Sequence, residues 1–392
     1  MPRISPFVGL LFDPARVGSL ERVTTPPYDI VTPEERRAFL EASPYNVIRL
    51  DLSGDAPGAD KYMGAAGVLR GWRDERALAP TPEPVYFPYE MRFSLDGRTR
   101  QVRGFVCRVE LEPWGGSVVP HERTMAGPIE DRLQLLRATR ANLSCVYAIH
   151  PGPVDELRSA LEDATSAEPP YRSVDGSGVE HRMWVVPGDH LPAGVLADRS
   201  LLIADGHHRY ATALRFREEM RESRGAGPWD HVMMLVVDEA GEDPPVFPYH
   251  RLVQEEMSSP EGTPVNDLDE LLTRLDDDAL VYGIVTRNDA GVSHRIATLP
   301  GPPPTVRALH ERILDGRVSE AALRFTRDPR EAERIVSDGG ATTAFLLPPT
   351  SAERIRKVVD RGETLPQKST FFWPKPLTGM VIRPLDETPE EG

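Results

Sequence analysis

Apolar positions fall along the chain in two patterns. Unbroken apolar runs bounded by turn residues predict buried strands, and apolar residues three and four apart predict helices. Strands are expected at Leu201-Leu202-Ile203-Ala204, from Ser144 to Ile149, over the near-continuous run His231 to Val237, and from Thr342 to Leu347. Two longer strands flank Asp96-Gly97, a hairpin dipeptide. Tyr62, Ala65, Ala66, Leu69 and Trp72 share one helical face. Thr32-Pro33-Glu34-Glu35 opens another helix with a threonine cap, a first-turn proline and early acids. A long helix follows Leu201–Ala204 and ends where Gly225-Ala226-Gly227-Pro228 breaks it. Residues 254–264 are polar and carry Pro260, Gly262 and Pro264, so they are expected to be a linker. Beyond them helices and strands alternate to the end. The fold class is α/β in the mixed sense: a first region 1–253, the linker 254–264, and a C-terminal α/β region 265–392 packing back on the core.

Composition adds exclusions rather than a function. The 392 residues are 40% hydrophobic and 27% charged, as in ordinary globular domains. A net charge of −15 disfavours nucleic acid and anionic membranes as partners, though not a local basic pocket. No signal pattern opens the chain and no run of 18 apolar residues occurs, so no membrane partner is expected. The two cysteines, Cys107 and Cys145, form no CxxC pair, which fits a reducing cytoplasm.

The most informative stretch is Asp205-Gly206-His207-His208-Arg209, set between the strand at 201–204 and the long helix. The amides that begin a helix lack intrahelical acceptors and attract anions. Gly206 lets backbone approach a ligand closely. Arg209 carries a planar fork suited to phosphate oxygens. His207 and His208 can donate hydrogen bonds or move a proton near neutral pH. Asp205 needs a metal ion or a proton to handle beside a phosphate. The plain alternative is a capping aspartate, a turn glycine and three surface side chains. It explains any one of these residues better than all five in a row. No GxxxxGK[ST] loop occurs.

ADGHHRYATAL resembles the signature of a widespread bacterial and archaeal family catalogued as domain of unknown function 1015. Its turn is also similar to the phosphate motif of the ParB/sulfiredoxin-like fold, which includes the free serine kinases. Further elements carry the same resemblance: Pro26-Pro27-Tyr28-Asp29, Asn46 to Asp51 (which the resemblance implies is a strand), His121-Glu122-Arg123-Thr124, Arg132 with Asn142, Pro248-Tyr249-His250-Arg251, and the tail from Pro366 to Lys375. The resemblance implies a ParB/sulfiredoxin-like core and phosphorylation of free L-serine to O-phosphoserine. The implied donor is pyrophosphate, which bacterial members are taken to use, or else ATP or ADP.

Candidate roles follow from what phosphoryl transfer to an alcohol requires: a held, neutralised phosphate and an accepted proton. Glu122 is the first candidate for the base and Asp29 the second. A metal-binding role, or a loop salt bridge with Arg123 or Arg132, stays open for Glu122. HExxH is absent, so no zinc site is read there. Asp205 and His208 complete the catalytic candidates, with Asp205 holding Mg²⁺, the expected cofactor. Gly206, His207, His208, Arg209 and Lys368 are the phosphate-binding candidates. Asp29, Arg49, Asn142, His250 and Arg251 are the substrate-binding candidates. Partners are then a small-molecule substrate and a phosphoryl donor, and a homodimer is compatible. Two other classes remain: a non-catalytic ParB-like nucleotide sensor, and a phosphohydrolase using the same anion turn.

Overall fold

A computed structural model describes residues 2–54, 59–122, 126–152, 154–191, 194–196, 199–238, 244–258, 261–288 and 291–386. Arg123 and Thr124 of the His-Glu-x-Thr element lie outside these, as does Pro260 of the expected linker. The chain is a mixed α/β protein of two compact units. One comprises Met1–Pro120, Thr124–Asp243 and Pro374–Gly392, and the other His121–Arg123 and Pro244–Trp373.

The first unit is built on a mixed ten-stranded sheet. Its central strand His231–Asp238 runs parallel to Val146–His150 and antiparallel to Arg98–Glu110. The run read as near-continuously apolar is buried almost throughout, as expected of a strand covered on both faces. Gly104 makes the pairing with His231–Asp238 fit, since a Cβ there would meet the Val236 carbonyl oxygen at 2.2 Å. The Asp96-Gly97 hairpin forms: Leu95 pairs with Arg98, and both turn residues have positive φ. That is the backbone twist a two-residue hairpin requires.

The strand Leu201–Asp205 lies parallel to Val118–Val119 and antiparallel to Val146–His150. Its register breaks between Ile203 and Asp205. Such a bulge re-aims the residue that follows it. The helix His207–Arg224 then packs Tyr210, Ala213 and Leu214 into the sheet core with Ile203, Ala148 and Val236. Its other side presents Phe216 and Met220 to Leu133 and Leu136 of the helix Ala126–Thr139. Gly225 ends the helix with φ +77, at the residue the sequence marked.

Asn46–Asp51 differs from expectation. Ile48–Asp51 is one helical turn, not a strand. Asn46 is fully buried, and its Oδ1 accepts the Ile48 amide, which closes the chain into a turn. Val47, Ile48 and Leu50 are all buried, so alternation carried no directional information here.

The second unit contains an antiparallel six-stranded sheet in the order Thr263–Val265, Gly291–Thr298, Val281–Asn288, Thr343–Leu346, His250–Val253 and Leu323–Thr326. Ile284, Phe345 and Val253 face a core completed by Leu309 and Leu314. A separate pair, Val246–Pro248 with Thr370–Phe372, carries the aromatic tail. Among the described residues, no helix is long and apolar enough to cross a membrane.

Candidate functional site

The turn after Leu201–Asp205 is made by Gly206, whose φ of +91 is open to glycine and strained for other residues. Gly206 is the N-cap of the 18-residue helix, and its carbonyl accepts the first helical bond from the Tyr210 amide. It offers no side-chain cap, so the amides of residues 207–209 open the helix in the arrangement that favours anions.

Arg209 folds back beneath this turn. A Cβ on Gly206 would sit 3.0 Å from Arg209 Nε, so the glycine also makes room for the guanidinium. Arg209 Nη2 donates to Asp205 Oδ2 at 2.5 Å, and Nη1 donates to the Cys145 carbonyl. Burial works against the Arg209 charge, but Asp205, Cys145, Asp29 and Tyr28 together outweigh it, so the guanidinium is held more firmly protonated. The other Asp205 oxygen accepts from Lys375 Nζ. Lys375 also reaches Asp29 Oδ2 at 3.4 Å. Asp205 therefore lies between two cations, and a second carboxylate shares one of them. Asp29 sits on the short turn Tyr28–Ile30 that follows the two prolines.

Next to this group is a second ionic chain. Arg132 stacks on the Tyr28 ring at 4.1 Å, and its Nη1 donates to Asp51 Oδ1 at 2.7 Å. It also grips Asp131, which takes further bonds from Lys61 and Tyr62. Burial opposes the Asp131 charge, but Arg132 and these donors bring its carboxyl down to about 2. Burial pushes the Tyr28 hydroxyl up to about 12, against the pull of Arg132, so the phenol stays neutral. A cavity of about 50 Å³ is lined by Tyr28, Asp51, Arg132, Asn142, Ser144 and Arg209, among others.

In the second unit Glu122 is held by the Lys368–Thr370 turn. Its Oε1 accepts from the Ser369 and Thr370 amides and from Thr370 Oγ1, and its Oε2 accepts from the Lys368 amide. Lys368 has φ +53, which turns successive amides toward one point. Thr370 Oγ1 donates to Glu122, which leaves it to accept from His121 Nε2 at 2.6 Å. Lys368 Nζ lies over the Tyr249 ring at 5.3 Å. Arg251 is fully buried and donates to the Tyr249 and Gln367 carbonyls. Burial lowers its guanidinium to about 9, and Glu122 opposes that fall.

Residues 4–318 match the family model described as a protein of unknown function (DUF1015). The chain belongs to this family. Three solved structures are similar at low levels. A free serine kinase in complex with AMP gives a TM-score of 0.37 at 15% identity, over 65% of this chain and 83% of its own. A conserved hypothetical protein from Pyrococcus furiosus gives 0.31 at 15%, over 65% and 86%. SbnI with a C-terminal truncation, from Staphylococcus aureus, gives 0.33 at 13%, over 67% and 82%. No curated protein sequence matches the chain.

The other candidates of this DUF1015 chain are placed as follows. His207 is buried and His208 half-buried on the first turn of the motif helix. Arg49 donates to the Leu40 and Ser43 carbonyls. Asn142 Oδ1 accepts from the Met233 amide and from Arg383. His250 Nδ1 accepts the Leu347 amide inside the six-stranded sheet. Within the first unit the structure thus joins Asp29, Asp205 and Arg209. Within the second it joins Glu122 with the Lys368 backbone. Sequence reasoning assigned no role to Lys375, although it quoted Pro374-Lys375 in the tail, and it did not single out Asp51.

His250 supplies a pH prediction. Burial, then Arg251, lowers its imidazole from about 6.5 to about 4. Between those values the unfolded chain binds the proton and the folded chain does not, so stability rises with pH across the window. The contribution is complete above about 6.5 and is lost as pH falls toward 4; at pH 5 the loss is about 2 kcal/mol. Denaturant midpoints at pH 7 and pH 5 are expected to differ less for His250→Gln than for the parent chain. An equal difference in both would remove His250 as the cause.

Proposed function

We propose that this chain is a phosphotransferase that moves a phosphoryl group to the hydroxyl of a small molecule, free L-serine first among acceptors. Pyrophosphate is the proposed donor, with ATP or ADP as alternatives. The observation that carries the reading is the meeting of Asp205, Asp29 and Lys375 at the turn that opens the helix His207–Arg224. Helix-start amides and an ammonium suit phosphate oxygens, and neighbouring carboxylates suit a hydroxyl or a metal ion.

In the proposed step the acceptor oxygen attacks phosphorus and the bond to the donor's bridging oxygen breaks. The hydroxyl proton passes to a carboxylate, and phosphate or the shortened nucleotide leaves. Glu122 is the proposed base, its carboxylate held in place by the Lys368, Ser369 and Thr370 amides and by Thr370 Oγ1. Asp29 is the second candidate. Magnesium is commonly carried by one or two carboxylates together with phosphate oxygens, and Asp205 and Asp29 supply such a pair. It would add positive charge to the transferring group. Among the described residues no three His, Cys, Asp or Glu side chains converge, so the donor's own oxygens would complete the shell.

A donor-by-acceptor screen read by phosphorus NMR tests this. Pyrophosphate, ATP and ADP are each offered with and without L-serine and Mg²⁺. A phosphomonoester of serine, formed one for one with donor consumed, is the expected result. Phosphate release that ignores the acceptor would mean a phosphohydrolase. No consumption of any donor would leave the sensor class.

A further inference from the structure

The cavity beside Arg209 carries an unmet demand. Asp51 is only 3% exposed, and its Oδ1 is bonded to Arg132. Its Oδ2 is buried and has no hydrogen-bond partner among the described residues. A buried carboxylate oxygen without a donor is costly, so such an atom at a cavity wall points to a ligand that donates.

The walls narrow the ligand further. Arg132 and Arg209 bring two guanidiniums to the same cavity as Asp51. Arg132 also pairs with Asp131, and Arg209 with Asp205. A lone anion would face the Asp51 carboxylate, and a lone cation would face two guanidiniums. A zwitterion meets both signs. At about 50 Å³ the space holds roughly four waters, which suits a small head group and excludes a nucleotide. The remaining wall includes Leu135, Leu143 and Val232, which keeps the dielectric low and the charge pairing strong.

We propose that this cavity takes the zwitterionic head of a small α-amino acid, its ammonium on Asp51 Oδ2 and its carboxylate toward Arg132 and Arg209. The inference rests on the phosphotransferase reading for its acceptor class and makes Asp51 a residue that recognises that acceptor. The hydroxyl then extends past Arg209 toward Asp205, which the same guanidinium holds.

Calorimetric titration of the full chain, with no donor present, tests the site by itself. L-Serine and glycine are expected to bind, and 3-hydroxypropionate and ethanolamine, which each lack one charge, to bind at least ten-fold more weakly. Asp51→Asn, checked by melting to be folded, is expected to weaken L-serine at least ten-fold and leave 3-hydroxypropionate unchanged. If that variant does not fold, the parent chain's ligand series decides alone. No binding of L-serine or glycine, equal binding of 3-hydroxypropionate, or an unchanged L-serine affinity in folded Asp51→Asn each overturns the proposal. The last result reads as a cavity that holds only water. Serine phosphorylation with an unchanged KM in Asp51→Asn would sink this site and leave the kinase reading standing. Amino-acid binding without any transfer would do the reverse.

Discussion

Arg209→Ala is expected to reduce phosphoryl transfer by at least ~10³-fold, the scale on which a single arginine acts in such reactions. It is also expected to destabilise the first unit by about 3–5 kcal/mol. Both effects have one origin. The guanidinium joins Asp205 to the Cys145 carbonyl beneath Gly206. Its removal leaves a half-paired carboxylate beside Lys375, an unmet carbonyl, and a void under the turn that opens the helix. Arg209→Lys tests the geometry apart from the charge. A lysine is a point donor and cannot span two acceptors as a fork does, so it is expected to recover part of the stability and little of the turnover. The measurement is melting temperature together with transfer per folded molecule. A folded Arg209→Ala protein that transfers phosphate at the parent rate would show that the turn is not the phosphate cradle.

Much of this turn was legible because its determinants are local. A buried run, Asp-Gly and a helical period occupy fifteen consecutive positions, and the structure adds only the +91° φ that explains the glycine. The partners of Asp205 were hidden for the opposite reason. Lys375 lies 170 residues beyond Asp205 and 346 beyond Asp29, and no period relates such positions. The Glu122 contacts likewise span 246 to 248 residues. Asp51 was missed through its own segment. Ile48–Asp51 has only two buried apolar side chains, Ile48 and Leu50, too few to favour a strand or a helix, and the Asn46 side chain decides for the helix. The strand reading gave Asp51 no distinctive place, whereas the helical turn carries its carboxylate to Arg132.

Glu122→Gln separates a proton acceptor from a clamp. The expected result is a loss of about 10²–10⁴-fold in turnover with donor binding retained. A smaller cost in stability accompanies it. Glutamine keeps its oxygen where Oε1 meets three donors, so its NH₂ must face the Lys368 amide at the position of Oε2. One mismatched donor pair of this kind costs about 1–3 kcal/mol. The substitution also removes the charge that supports buried Arg251, whose guanidinium is then expected to fall below its present value of about 9. Stability alone is therefore no test, because either role predicts a lower melting temperature. The decisive quantity is turnover per folded molecule well below the melting point. A base leaves that quantity depressed at every temperature, and in Glu122→Ala formate is expected to restore part of it, since a small carboxylate fits the same amides. A clamp lets turnover return as soon as the turn at 368–370 is folded. In that case the proton must go to the other candidate, Asp29, and Asp29→Asn should then abolish the transfer that Glu122→Gln leaves intact.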